Sequence, residues 1–254
     1  MDHWLIDTIY EIKSSNNLSE LKHVLVKLRQ CLGFSNVAYA VKLPVTFTRS
    51  SVLFISDFPE EWLKRYGEQG YINIDPVVSH CMSSQNAYSW ERFKEHPKGI
   101  IRDFIGEANE FKLHDGISAG TSHFDGKVGV FSLASDIKLN LTDEQKYRNT
   151  IYLNALQPFI HERILQLSEK NDKNNLKHHL TEREKTCLLW AAEGKTAHNI
   201  SAILSISEAT VVFHLKNSIN KLDVINRSQA IAKAVLLGLI TPQCPPTSVP
   251  TYHY

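Results

Sequence analysis

Three successive helix starts are encoded by Leu180-Thr-Glu-Arg-Glu184, by Gly194-Lys-Thr196 and by Ile206-Ser-Glu-Ala-Thr210. Thr181 and Glu184 have the spacing of a capping box, in which the hydroxyl accepts a backbone N–H and the carboxylate reaches back. Gly194 ends the first helix, Thr196 caps the second, and Ser207 caps the third. Because only two residues separate the second helix from the third, the stretch predicts a helix-turn-helix, whose second helix lies in the major groove of DNA.

The third predicted helix has a buried face and an outer face. Its core stripe, at the 3, 4, 7 spacing of a packed helix, consists of Val211, Leu215, Ser218, Ile219 and Leu222. The outer face carries a cation, two amides that suit base edges, and apolar groups that suit thymine methyl groups. Cations nearby are expected to contact phosphates, which adds affinity without sequence choice. The predicted DNA-binding set is Lys195, Thr196, Thr210, Val212, Phe213, Lys216, Asn217, Asn220, Lys221 and Arg227, with Lys195, Lys221 and Arg227 on phosphates.

An ordinary helical bundle with a solvated polar face is the alternative interpretation of this stretch. The three caps, Gly194 and a further predicted helix from Asn226 to about Leu237 favour the DNA-binding motif instead. The segments Leu-Thr-x-Arg-Glu, Trp-Ala-Ala-Glu-Gly-Lys-Thr, Ile-Leu-x-Ile-Ser-Glu-x-Thr-Val-x-x-His and Gly-Leu-Ile resemble the DNA-binding domain of LuxR-type transcription factors. The resemblance implies an all-α, four-helix domain at 180–240. It leaves the upstream sensor unidentified, because many sensor types precede this domain.

The length of 254 residues is sufficient for two domains with a core each. We predict a sensor domain at 1–170, a polar linker at 171–179, the helix-turn-helix domain at 180–240 and an irregular Pro-rich tail at 241–254. Residues 171–254 contain nine Lys and Arg and six Asp and Glu, a net charge of +3, whereas residues 1–170 contain 19 and 21, a net charge of −2. A slightly basic C-terminal part agrees with nucleic-acid binding.

Cysteine spacing and hydropathy argue against several classes of function. The four cysteines form no CxxC pair and no metal-ligand spacing, so we expect reduced core thiols and neither metal nor cofactor. An enzyme would have to use the His114-Asp115 pair, or Asp75 with a histidine, without a nucleophile motif or a phosphate loop. The N-terminus has no signal-peptide pattern, and no apolar run approaches the roughly 20 residues of a transmembrane helix. We therefore expect a cytoplasmic protein that is neither an enzyme nor bound to a membrane.

Periodicity upstream of residue 170 predicts helices before and after a group of strands. Asp125-Gly126 marks a hairpin between the last two strands, and Pro44 is placed in a loop between the first two. This order predicts an α+β chain whose N-terminal part is an α/β/α sandwich with a mostly antiparallel sheet. Helices are predicted at 2–14, 18–32, from Pro59, at 76–83, 99–113 and 142–170, and strands at 36–43, 50–56, 117–124 and 127–135.

A group of aromatic and acidic residues stands out in this region. Trp62 and Tyr66 are one helical turn apart, and Asp75 precedes Pro76. Taken singly, the aromatic pair is typical of a core and the Asp-Pro step of a turn or cap. Together, Pro59-x-x-Trp62-x-x-x-Tyr66, Asp75-Pro76 and Trp90 resemble the N-terminal domain of LuxR-type quorum-sensing receptors, which bind N-acyl homoserine lactones. With the C-terminal match, the resemblance spans nearly the whole chain.

The chemistry of an N-acyl homoserine lactone suits these residues. The ligand has an apolar tail, an amide and a lactone carbonyl, so it needs an apolar pocket with a few polar groups. The Trp62 indole N–H, a donor only, can hold the lactone carbonyl, and the Asp75 carboxylate can accept the amide N–H. Tyr66 and Trp90 can wall the head group, and the resemblance assigns a hydroxyl for the acyl carbonyl to Ser132. The complete predicted ligand-binding set is Trp62, Tyr66, Asp75, Trp90, Ser132, Phe58 and Val77.

Two positions depart from the pattern of the family. Phe58 lies one turn before Trp62, where many members have a tyrosine that binds an acyl carbonyl, and Gly120 lies in a Ser-Ala-Gly-Thr run where an apolar run with proline is usual. A regulator that responds to a non-lactone small molecule, or to none, therefore stays open as a second hypothesis. The implied partners are a second copy of the chain, bound through the 142–170 helix, promoter DNA with an inverted repeat, and RNA polymerase.

Overall fold

The computed structural model describes residues 3–46, 48–84, 86–94, 98–122, 126–171 and 179–242. Contacts between residues divide the chain into two compact units, Met1–Asp172 and Lys173–Tyr254. Asp125 of the predicted hairpin, residues 172–178 of the predicted linker and residues 243–254 of the predicted tail lie outside the described residues.

The first unit contains both helices and strands. In chain order the described elements are α1 (His3–Ser14), α2 (Leu18–Cys31), β1 (Asn36–Thr46), β2 (Arg49–Ser56), α3 (Glu60–Glu68), a 3₁₀ turn (Tyr71–Asn73), α4 (Pro76–Ser83), β3 (Tyr88–Ser89), α5 (Glu91–Lys94), α6 (Ile100–Glu110), β4 (Asp115–Ser122), β5 (Val128–Ser135) and α7 (Asp143–Asn171). The short elements β3, α5 and the 3₁₀ turn are additional to the prediction. A capping box precedes α7, because Thr142 N–H donates to Gln145 Oε1 at 2.9 Å and Gln145 N–H donates back to Thr142 Oγ1 at 3.3 Å.

Within the described residues, the strands form one five-stranded antiparallel sheet in the order β2-β1-β5-β4-β3. Successive residues of β1 face opposite sides of the sheet. Tyr39 lies in the core beneath α1, α2 and α7, whereas Ala38 and Ala40 line a cavity on the other side. Helices α3 and α6 cover that other side with an aromatic cluster that includes Trp62 and Phe104. These α/β/α layers and the antiparallel sheet confirm the predicted fold class.

The predicted loop position of Pro44 is wrong, because Pro44 lies within β1. β1 pairs with β5 only as far as Lys42, and its pairing with β2 shifts register between Pro44 and Thr46. Beyond Lys42 the strand therefore has a partner on one side only, where a residue without a backbone N–H is tolerated.

The second unit is all-α in the part that the structure describes, with α8 (Glu182–Ala192), α9 (Ala197–Leu204), α10 (Glu208–Lys221) and α11 (Arg227–Leu236). The three predicted caps are confirmed, because the side chains of Thr181, Thr196 and Ser207 each accept the backbone N–H three residues on. Ser205 ends α9 in the left-handed conformation, with φ of 54°, so the turn into α10 is tight. Among the described residues, no helix of either unit combines the length and the hydropathy that crossing a bilayer requires.

Candidate functional site

A cavity of about 280 Å³ lies in the first unit, between the sheet face opposite α7 and the helices α3, α4 and α6. Nearly all of its lining is apolar, and the few polar side chains include Asp75 and Ser132. Such a cavity suits a small molecule with a large apolar part and a few polar groups. The strands contribute Ala38, Ala40, Lys42, Val52, Phe54, Val128, Val130 and Ser132.

All seven residues of the predicted ligand-binding set line this one cavity. They come from four separate segments of the chain, at 58–66, 75–77, 90 and 132, and the fold brings these segments together. Phe58 precedes α3, Trp62 and Tyr66 lie on α3, Asp75 and Val77 lie at the start of α4, Trp90 lies between β3 and α5, and Ser132 lies on β5.

Asp75 is positioned by the start of α4. Pro76 occupies the first helical position, and Asp75 Oδ1 caps the helix by accepting the Val77 N–H at 2.7 Å. Tyr66 Oη donates to the other oxygen, Oδ2, at 2.9 Å. The residue is 9% exposed. A buried carboxylate with two protein donors still has lone pairs for a third donor.

The pKa values of Asp75 and Tyr66 are both set mainly by burial. Burial raises the pKa of Asp75 to about 6, and the hydrogen bonds from Tyr66 and from the Val77 and Val78 N–H groups oppose that rise. Burial also raises the pKa of Tyr66, so its hydroxyl stays a donor at neutral pH. At neutral pH the cavity therefore contains an ionised acceptor in apolar surroundings. An N–H donor from a bound molecule offsets part of the cost of burying that charge.

Trp62 lies at the centre of the aromatic cluster and is 3% exposed. Its ring centroid is 5.5–5.9 Å from those of Tyr66, Tyr71, Phe104 and Phe111. No residue in the described part of the chain accepts its indole N–H, whereas the indole N–H of Trp90 is hydrogen-bonded. Trp62 lines the cavity, so its indole N–H, which can only donate, suits a bound molecule with an acceptor at this point.

Ser132 belongs to a hydrogen-bonded chain that the sequence did not reveal. Trp90 Nε1 donates to Ser118 Oγ at 2.8 Å, and Ser118 Oγ shares a hydrogen bond with Ser132 Oγ at 2.8 Å. Ser118 is fully buried. Through Ser118, the Trp90 ring and the Ser132 hydroxyl are held in fixed relation on the cavity face of the sheet.

Small residues at alternate positions of β4 give this face its shape. A Cβ on Gly116 would lie 2.7 Å from the Trp90 ring, and a Cβ on Gly120 would lie 2.6 Å from Cys81 Cα. Gly116 therefore makes room for Trp90, and Gly120 lets α4 approach the sheet closely. The alternation Gly116, Ser118, Gly120 is the sequence signal that identifies a closely approached strand face. The close approach of α4 at Gly120 also gives a physical reason why a Ser-Ala-Gly-Thr run replaces the apolar run with proline that is usual in the family.

Gly120→Ala is expected to lower the free energy of unfolding by about 1–2 kcal/mol, as overpacking does, and to weaken ligand binding. The added methyl displaces α4, which carries Asp75 and Val77 into the cavity. Urea unfolding and ligand titration measure the two effects. The control is Gly106→Ala on α6, where an added Cβ meets no atom within 4 Å and alanine favours the helix. Equal behaviour of the two variants contradicts the close-approach argument.

The outer face of α10 carries the centre of the predicted DNA-binding set. Val212 and Phe213 are 51% and 60% exposed. Lys216 and Asn220 are exposed, and Asn217 is half-buried. Val211 and Leu215 are buried on the opposite side with Leu222 and Ser218, which confirms the predicted core stripe. This helix therefore offers cationic, amide and apolar groups on one surface, as base-edge contacts require.

Two cations of that set, Lys221 and Arg227, have partners within the second unit. Lys221 Nζ lies 2.8 Å from Oε2 of Glu184, whose side chain is 4% exposed. Arg227 Nη2 donates to the backbone oxygens of Ala191 at 3.0 Å and Lys195 at 2.6 Å, at the end of α8. Both cations therefore hold parts of the unit together, and a DNA phosphate that binds either of them would compete with its present partner. Of the others, Lys195 and Thr196 are exposed before α9, and the Thr210 hydroxyl lies 2.7 Å from that of Ser207.

Comparison with known proteins assigns a family description to each unit. The family described as "autoinducer binding domain" matches residues 17–164, and the family described as "bacterial regulatory proteins, luxR family" matches residues 178–234. The transcriptional activator protein AnoR of Acinetobacter nosocomialis is 34% identical over 250 residues, which cover 94% of this chain and 100% of AnoR. The transcriptional activator protein LuxR of Aliivibrio fischeri is 33% identical over 244 residues, which cover 93% of this chain and 94% of LuxR.

Solved structures extend the similarity to the fold. The crystal structure of SdiA from Escherichia coli has a TM-score of 0.77 and 26% identity, and the match covers 94% of this chain and 98% of SdiA. SdiA in complex with octanoyl-rac-glycerol has a TM-score of 0.74 and 27% identity, with 95% and 97% covered. The similarity therefore includes both units of the chain.

Proposed function

Because this chain belongs to the LuxR-type family of quorum-sensing transcriptional regulators, we propose that its first unit binds an N-acyl homoserine lactone and that its second unit binds promoter DNA within a homodimer. Members of this family are regulators and not enzymes. The observation that carries the ligand proposal is the pairing of an ionised acceptor, Asp75, with an unpartnered indole donor, Trp62, in one apolar cavity.

The head group of the lactone fits this arrangement. Its amide N–H donates to Asp75, which keeps a free lone pair beside the donors Tyr66 and Val77. Its lactone carbonyl accepts from Trp62, and its acyl carbonyl accepts from Ser132, whose hydroxyl Ser118 orients. Each polar group of the ligand then forms a hydrogen bond with the protein in place of the one that it loses to water. The acyl tail adds to the affinity because its apolar surface is buried.

A second candidate ligand is an acylated polyol. SdiA has been solved in complex with octanoyl-rac-glycerol, and Phe58 brings no hydroxyl to this cavity. Hydroxyl groups of a glycerol head can also donate to Asp75 and accept from Trp62. The two candidates differ in the amide N–H and the lactone carbonyl, so a direct comparison of affinities separates them.

The dimer and DNA proposals rest on exposed side chains. On α7, Tyr147 and Ile151 lie one turn apart and are 72% and 62% exposed, which suits burial against a second copy of the chain. A dimer of this kind presents two copies of α10 to the half-sites of an inverted repeat, about one helical turn apart. We propose that this regulator acts in the cytoplasm, and that it contacts RNA polymerase when it activates transcription.

The test is to express the protein with and without a panel of acyl homoserine lactones and octanoyl glycerol, and to identify what remains bound by mass spectrometry. A ligand at 100 times its Kd stabilises the fold by about 2.7 kcal/mol, which raises the Tm by about 5–10 °C for a chain of this size. A retained lactone with such a shift supports the proposal. Retention of octanoyl glycerol alone moves the second candidate to first place, and equal Tm values with nothing retained contradict both.

A further inference from the structure

We infer that the cavity selects straight acyl chains of about ten carbons or more, because its sheet side forms a furrow that runs along β1 from the level of Ser132 to Lys42. This inference rests on the proposed function and specifies its ligand class. Lys42, Phe54 and Met82, which shape the far end of the furrow, are not among the residues that the sequence predicted for the site.

The floor of the furrow is one face of β1. Ala38, Ala40 and Lys42 alternate on this face and all line the cavity. On one side all three are flanked by cavity-lining residues of β5, and on the other side Ala40 and Lys42 are flanked by cavity-lining residues of β2. The pairs are Ala38 with Ser132, Ala40 with Val130 and Phe54, and Lys42 with Val128 and Val52. The small side chains of Ala38 and Ala40, the latter between the larger Val130 and Phe54, leave a groove that an alkyl chain can occupy.

The register of the strands gives the length of this groove. From Ala38 to Lys42 the strand advances four residues, or about 13 Å at about 3.3 Å per residue. A zigzag alkyl chain with bonds of about 1.5 Å advances about 1.3 Å per bond, so about ten bonds, which join about eleven carbons, cover the distance. An acyl carbonyl held at Ser132 therefore places the tenth and eleventh carbons beside Lys42.

Helix α4 covers the furrow at the level of Ala40. Cys81, in the last turn of α4, lies against Gly120, which pairs with Val130 at the level of Ala40. Exposure rises toward the β2 side of the furrow, where the sheet ends. Ala38 and Val128 are each 6% exposed, whereas Phe54, Val52 and Met82 are 43%, 48% and 51% exposed. Tail carbons beside Ala40 and Lys42 cover these large apolar side chains, which a shorter tail leaves in contact with water.

Lys42 marks the end of the apolar path. Lys42 lines the cavity, and no carboxylate among the described residues lies within ion-pair distance of its ammonium group. Lysine in this position covers apolar surface with its stem and keeps its charged end in water. Carbons beyond Lys42 therefore gain little burial, so the affinity stops rising there.

The experiment measures the Kd of unsubstituted acyl homoserine lactones with four to fourteen carbons. For the wild-type protein, affinity is expected to rise about fourfold per methylene between six and ten carbons, so the ratio of decanoyl to hexanoyl affinity is at least about 100-fold. Beyond about twelve carbons the affinity is expected to level off. A short-chain optimum overturns the inference and leaves the proposed function intact. Failure of every lactone to bind overturns the proposed function itself.

Ala40→Leu tests the furrow directly, because the larger side chain fills the groove halfway. The ratio of decanoyl to hexanoyl affinity is expected to fall to about one, and Ala40→Val is expected to give an intermediate ratio that guards against misfolding of the larger variant. The matched control is Ser51→Leu, which adds the same side chain on the opposite face of β2, away from the cavity. An unchanged ratio in folded Ala40→Leu, or an equal loss in Ser51→Leu, overturns the inference.

Discussion

Asp75→Asn is expected to weaken lactone binding by about 10- to 150-fold, which corresponds to the 1.5–3 kcal/mol of a hydrogen bond to a charged group. The variant loses the ionised acceptor, and the new amide group presents N–H donors where Tyr66 Oη and the ligand amide also donate. The asparagine oxygen can still accept the Val77 N–H, so the cap of α4 is retained. Titration calorimetry of purified wild-type and variant protein measures the change.

The stability of the unliganded protein is expected to change in the opposite direction. The pKa of Asp75 is raised to about 6 in the folded protein, above its usual range, so the folded state binds the proton more tightly than the unfolded state. The free energy of unfolding of the wild type therefore falls as pH rises from about 4 to about 6, by up to about 3 kcal/mol. Asp75→Asn lacks this loss, so above pH 6 it is expected to be at least as stable as the wild type without ligand.

Binding and pH are linked through the same carboxylate. A ligand N–H favours the ionised form, so wild-type affinity is expected to fall as the pH drops below about 6. At pH 5 the protonated wild type resembles the amide variant, and the difference in affinity between them narrows. Equal lactone affinity of the two proteins at pH 7.5, with both folded, would remove Asp75 from the proposed site.

Local signals made much of the fold predictable. Capping residues such as Thr181, Thr196 and Ser207 act within one turn of their own helix, so their effect can be read from three or four residues. The Asp-Pro step at residue 75 likewise places the start of α4. Pro44 and the two-residue strand β3 were not predictable in this way, because what permits them is the pairing of distant strands.

The predicted site residues lie together around one cavity, yet part of the site could not be derived from spacing. Ser118 connects Trp90 to Ser132 by hydrogen bonds between neighbouring strands. Lys42 lies at the far end of the furrow because β1 pairs with β5 in one particular register. In the sequence, Gly120 was visible only as a departure from the pattern of the family. The reason for a glycine there is the close approach of Cys81, which is a tertiary contact. The partners of Lys221 and Arg227 are of the same kind, since each joins residues more than 30 positions apart.

Lys216→Ala is expected to reduce specific operator binding by about 1–3 kcal/mol, or about five- to 150-fold, as the loss of a base contact does. Lys216 is exposed on the outer face of α10 near Phe213, and no carboxylate among the described residues forms an ion pair with it. It differs in this respect from Lys221, which Glu184 engages. Affinity for the operator and for random DNA is measured at one fixed salt concentration, because both depend on salt.

The control for charge alone is Lys185→Ala on α8, where the lysine pairs with Glu182 at 2.8 Å. A base contact by Lys216 predicts that specific binding falls much further than random binding, since lysine recognises guanine through its N7 and O6 acceptors. Replacing the contacted guanine by 7-deazaguanine then weakens the wild type but not Lys216→Ala. A phosphate contact predicts instead an equal loss on both DNAs and a smaller salt slope, by about 0.9. That second result would mean that Lys216 contributes affinity without sequence specificity. Phe213, Asn217 and Asn220 would then be the candidates for base recognition.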